Sequence, residues 1–143
     1  MSLPPSVLVY FDASVLYAAD NATPTSAAIG YHVDAGTETR IEAAESVDAF
    51  VSSTDLEYRA LLEAVRALTT RFADLSSLHV HGDADVVIRT VDPDHPARAK
   101  SRIARRRVAT IRDLVADVPV VTYRAVPRGR NRRAHELARA GHD

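Results

Sequence analysis

Val7-Leu8-Val9-Tyr10-Phe11-Asp12 is an apolar run of branched and aromatic residues closed by a carboxylate, and its reading decides the fold. A short run without polar alternation suits a strand buried on both faces, and so a place at the centre of a sheet. Asp12 falls at the carboxyl end of that strand, in phase with Leu8 and Tyr10 by twofold alternation. An unpaired carboxylate costs several kcal/mol to bury there, so Asp12 is either a hydrogen-bonded strand terminus or an acid kept for a purpose.

Working outward, Asp20-Asn21-Ala22-Thr23-Pro24 is turn-prone. Residues 26–33 form a second predicted strand, Asp34-Ala35-Gly36 a turn and residues 37–47 a third strand, which together predict an antiparallel meander. From Asp55 to Phe72 the period becomes helical, with Leu61, Val65, Leu68 and Phe72 on one face. Thr54-Asp55-Leu56-Glu57 has capping-box spacing at its start. Residues 78–81 form a short strand, and Asp83 is placed to cap a brief helix over 84–90. Pro93 and Pro96 precede a long predicted helix over 97–116, which stops near Pro119. Residues 120–125 form the last strand, 127–130 a loop and 131–140 the final helix. Hairpins followed by alternating strands and helices predict an α/β fold, a mixed sheet with helices on its faces.

At 143 residues the chain suits a single domain, residues 1–143, with only the first six expected to be loose. The absence of cysteine excludes a disulfide framework and a thiolate zinc site. No apolar run approaches the roughly 18 residues of a membrane span, and Met1-Ser2-Leu3-Pro4-Pro5 lacks the features of a signal peptide. The expectation is a cytoplasmic protein with no membrane partner; oligomeric state stays open, a monomer being favoured. The net charge of −1 hides a polarity: residues 1–92 sum to −9 and residues 93–143 to +8. An acidic half suits metal ions, and a basic half suits phosphates.

Three carboxylates fall at sheet-facing ends of neighbouring elements. Asp12 closes the first strand. Glu57 lies four residues before Leu61 on the inward face of its helix, although a cap role at Thr54 explains it as well. Asp83 follows the fourth strand, where a helix cap is the rival reading. Converging hard oxygen ligands suit divalent ions, and two such ions suit in-line phosphoryl displacement.

The motifs then become recognisable. Tyr10-Phe11-Asp12-Ala13-Ser14 resembles the Asp-Gly-Ser opening of type 1 ribonucleases H, and Leu56-Glu57-Tyr58-Arg59-Ala60-Leu61 resembles their Ala-Glu-Tyr-x-Ala-Leu segment. His81-Gly82-Asp83-Ala84-Asp85-Val86-Val87-Ile88 is similar to Gly-Asp-Ser-x-x-Val-Ile, and Asn131-Arg132-Arg133-Ala134-His135-Glu136-Leu137-Ala138 to Asn-x-x-Ala-Asp-x-Leu-Ala. The four motifs occur in order along essentially the whole chain. The resemblance implies a ribonuclease H-like fold: a five-stranded mixed sheet, an antiparallel three-strand meander plus two parallel strands, flanked by helices. It implies an endonuclease that cuts the RNA strand of RNA/DNA hybrids with two ions, Mg2+ or Mn2+. Asp12 would bridge both ions, Glu57 and Asp83 would bind the second, and His135 stands where the family has its fourth carboxylate.

That histidine is the main departure. A neutral imidazole brings no charge, and its nitrogen matches Mg2+ poorly and Mn2+ acceptably. Activity is expected to be weakened or shifted in metal preference, and to fall below roughly pH 6.5, where the ring protonates. The alternative is a ribonuclease H-like module that binds nucleic acid without turnover. Ala13 replaces the usual glycine, and residues 128–130 offer no loop histidine. Arg102, Arg105 and Arg106 share a helix face, in the region where the resembled family has a basic substrate-binding segment. Arg98, Lys100, Arg107 and Arg112 belong to the same stretch. With Ser14, Arg128, Arg130 and Asn131, those three arginines are the expected nucleic-acid contacts. His79, His81, His95 and His142 show no metal spacing.

Overall fold

The computed structural model describes residues 4–48 and 52–142. The strands are β1 (Ser6–Tyr17), β2 (Pro24–Ala35), β3 (Glu38–Val47), β4 (Ser77–Gly82) and β5 (Val120–Ala125). The helices are α1 (Ser53–Arg71), α2 (Asp85–Val91), α3 (Arg102–Leu114) and α4 (Arg132–Ala140), with a single 3-10 turn over Arg128–Arg130 between β5 and α4. One sheet runs in the order β3-β2-β1-β4-β5. The β1–β2 and β2–β3 pairs are antiparallel, and β1–β4 and β4–β5 are parallel. This is the expected mixed sheet, with β1 at its centre.

The apolar run of β1 is less symmetric than its sequence suggests. Val7, Val9 and Phe11 are wholly buried in one core with Leu56, Leu61, Val65 and Leu68 of α1 and Leu78 and Val80 of β4. Leu8 and Tyr10, pointing the other way, are only half-buried. The helical face read from Leu61, Val65 and Leu68 is the face that packs here, each such side chain contributing roughly 1.5 to 3 kcal/mol by burial.

The opposite sheet face is covered in part by α4, which lies directly on β2. A Cβ on Gly30 would meet the Ala138 amide nitrogen and come within 2.6 Å of the Leu137 carbonyl carbon. Only glycine lets the helix backbone sit this low on the sheet.

Four boundaries differ from expectation for physical reasons. β1 continues to Tyr17, so Asp12 lies inside the strand. Pairing with β4 stops at Phe11–Gly82, however, so Asp12 is where the parallel part ends and a notch opens. α1 is capped by Ser52, whose hydroxyl accepts the Asp55 amide at 3.1 Å, and not by Thr54. α2 has no side-chain cap, which removes that role from Asp83. α3 begins at Arg102, five residues later than predicted, because Ser101 accepts the Ala104 amide at 3.0 Å and donates to the buried Asp55 carboxylate at 2.9 Å. Residues 1–3 of the stretch expected to be loose lie outside the described residues. Pro5 is held, its carbonyl accepting the Ser76 amide at 2.9 Å, and Ser6 opens β1.

Candidate active site

The notch beyond the last β1–β4 pair gathers the three carboxylates. Asp12 comes from β1, Glu57 from the second turn of α1 and Asp83 from the residue after β4. One oxygen of each lies within 4.8 Å of the others. Asp12 is 2% exposed, a burial that a lone carboxylate does not tolerate.

Glu57 does not cap its helix. Its Oε1 accepts the Ala13 amide at 3.2 Å, which ties α1 to β1 beside Asp12. Its Oε2 is buried with no hydrogen-bond partner. Burial, then the charge of Asp12, the approach of the two carboxyls to proton-sharing distance and the charge of Asp83, push the Glu57 carboxyl well above the ordinary 4.5. Asp83 is raised by burial and by Asp12, and opposed by Arg128, whose Nε stands 3.6 Å from Asp83 Oδ2. Carboxylate oxygens that face one another need a proton or a cation between them. The orphaned Glu57 oxygen and the all-oxygen donor set fit a hard divalent ion.

His135 projects from α4, and its Nδ1 lies 2.9 Å from Asp12 Oδ2. It reaches Asp12 but is not in the close three-carboxylate group. Asn131, expected to contact nucleic acid, is 1% exposed, and its amide donates to the Phe11 carbonyl at 2.9 Å. It is a buried tie from the start of α4 to the strand that carries Asp12, not a surface contact.

The chain matches the model of one protein family, described as reverse transcriptase-like, over residues 18–141. The chain belongs to the reverse transcriptase-like family. Among solved structures it is similar to ribonuclease H1 of the halophilic archaeon Halobacterium salinarum, at 23% identity and a TM-score of 0.78, over 95% of this chain and 96% of that one. The N-terminal RNase H domain of a Mycobacterium tuberculosis protein gives a TM-score of 0.81 at 18% identity, covering 96% and 99%. A ribonuclease H1 isolated from compost, solved with an RNA/DNA hybrid, gives 0.79 at 21% identity, covering 96% and 97%. Among curated proteins no relative matches. These likenesses establish a ribonuclease H-like fold for this family member.

The remaining expected contacts divide. In this member Arg102, Arg105 and Arg106 are exposed on α3, and Arg128 and Arg130 are exposed in the 3-10 turn beside Asp83. Arg107 is spent on the Asp55 carbonyl, and Arg112 donates to the Val91 and Thr90 carbonyls at 3.1 and 3.0 Å. Ser14 is hydrogen-bonded to His142 Nε2 at 2.9 Å, while the other ring nitrogen binds Ser26 at 2.6 Å. That bridge from the chain end to two strands left no sequence signal. Nor did the stack of Tyr10 between His32 and His81, with ring centroids 4.8 and 4.9 Å apart. Strand register alone brings those rings together.

Proposed function

We propose that the protein is a divalent-metal-dependent endoribonuclease that hydrolyses the RNA strand of RNA/DNA hybrids by a two-metal mechanism. The observation that carries the reading is the buried trio Asp12, Glu57 and Asp83, with Glu57 Oε2 left without a partner. It is supported by the similar fold of the compost ribonuclease H1, which was solved with a hybrid. Asp12, Glu57 and Asp83 would hold one ion and Asp12 with His135 the other; Mg2+ or Mn2+ would supply stabilisation of the attacking and leaving oxygens. The Ala13 amide orients Glu57, and Asn131 fixes the Phe11 carbonyl one residue before Asp12. Arg128 offsets charge at Asp83, and its exposed guanidinium would be available to a strand phosphate.

The second reading is a hybrid-binding module with weakened or absent turnover. What favours it is His135, a nitrogen donor that stands apart from the carboxylate trio. Cleavage of a labelled RNA/DNA hybrid in Mg2+ and in Mn2+ separates the two, using the unaltered protein, Asp12→Asn and His135→Asp. Cutting that vanishes in Asp12→Asn and increases in His135→Asp is the expected outcome. A protein that binds the hybrid but does not cut, even as His135→Asp, is the module instead.

A further inference from the structure

Between α2 and α3, residues of the 93–99 segment and of α3 line an open cavity of about 560 Å3. Its polar walls are Thr90, His95, Arg98, Arg105 and Arg112, and among the described residues no acidic side chain lines it. Pro93, Pro96 and Val108 supply apolar wall. The Ala97 amide donates to His95 Nδ1 at 3.1 Å, so the neutral ring carries its proton on Nε2 and offers a second donor. Arg112 is held in place through Nε and Nη2 by the Val91 and Thr90 carbonyls, which preorganises its guanidinium and leaves Nη1 uncommitted to those bonds. Every charged wall group is therefore a hydrogen-bond donor, an arrangement that suits a phosphate and repels a cation.

We propose that this cavity is a phosphate-binding site separate from the carboxylate centre, and that it takes a phosphate carried on a nucleoside. Thr90, in the last turn of α2, lines it, whereas Asp85 opens the same helix at its other end, near Asp83 in sequence. The size lies within the roughly 300 to 1,000 Å3 of small-molecule pockets, and the proline and valine walls leave room for sugar and base. A phosphate monoester, with about −1.5 to −2 charge, uses this many cationic donors better than a singly charged diester does. The group has two sources, a free mononucleotide or the strand phosphates of a nucleic acid. The inference does not depend on the proposed nuclease activity.

The test is a titration of the full chain followed by amide NMR without divalent metal, using inorganic phosphate, adenosine 5′-monophosphate, adenosine, and a hybrid whose ends carry only hydroxyls. Phosphate and the monophosphate are expected to shift the Ala97, Ala99 and Ala109 amides saturably, whereas adenosine leaves them still. The double variant Arg98→Ala with Arg105→Ala removes two exposed cations and is expected to weaken this binding about tenfold or more. Asp12→Asn is expected to bind the monophosphate like the unaltered protein, so failure of the carboxylate reading would leave this result intact. Shifts from the hybrid but not the monophosphate assign these arginines to the strand phosphates of a hybrid alone and overturn the nucleotide site. Shifts from none of the phosphate probes, equal shifts from adenosine, or shifts that persist in the double variant overturn the proposal.

Discussion

Glu57 shows the cost of assembling an acidic site. Its carboxyl and that of Asp83 are raised in the folded protein, so the folded state holds more protons than the unfolded chain above their ordinary values of 4.5 and 3.8. Stability from these two groups is therefore greatest at mildly acidic pH and falls as pH rises from those values through the raised folded ones. Glu57→Gln is expected to raise the melting temperature of chelator-treated protein at neutral pH and to flatten that pH dependence. It is also expected to abolish the rise in melting temperature on adding Mn2+; melts at both pH values with and without the ion check both parts. Asn131→Ala tests the buried tie. Loss of its bond to the Phe11 carbonyl is expected to cost about 1 to 3 kcal/mol in urea unfolding.

Between elements, the decisive contact is the seat of α4 on β2. Gly30→Ala would drive a methyl into the α4 backbone, whereas a Cβ at Gly129 meets nothing within 4 Å. Gly30→Ala is expected to destabilise by about 1 to 3 kcal/mol and to reduce cleavage of the hybrid by displacing His135, with Gly129→Ala nearly neutral in both assays. α3 teaches a complementary lesson. Its apolar positions Ala104, Val108 and Ile111 are buried as the helical period requires, but its start depends on Asp55, 46 residues away, receiving the Ser101 hydroxyl. A local pattern carries no information about so distant a partner, which is why residues 97–101 read as helix, whereas Ala97, Arg98 and Ala99 wall a cavity and Ser101 caps α3.

Across the whole molecule, the acidic and basic parts of the chain meet both at the site and away from it. Asp83 faces Arg128, and Glu42 forms an ion pair with Arg133. If the exposed α3 arginines contact strand phosphates, Arg102→Ala and Arg106→Ala are each expected to lower the slope of log affinity against log salt by about 1, uniformly across hybrid sequences. A hybrid-binding titration across a salt series measures it.

The order and type of nearly every element were legible in sequence, because apolar periods of 2 and 3.6 and proline breaks are local properties of the chain. Asp12, Glu57 and Asp83 were legible as residues, and their order along the chain matched a known pattern. That neither Glu57 nor Asp83 caps a helix was decided only in three dimensions. Ser52 took the cap of α1, α2 needed none, and the end of β1–β4 pairing opened the notch that leaves Glu57 Oε2 without a partner. The sequence by itself determined the elements, the strand at the centre and the supply of acidic and basic side chains. The tertiary structure alone decided that Asn131 is a buried tie, that His135 reaches Asp12 but stands outside the trio, and that His142 joins Ser14 to Ser26. Each of those pairs residues more than 100 positions apart, and only the folding of α4 back onto the sheet brings them within hydrogen-bond reach.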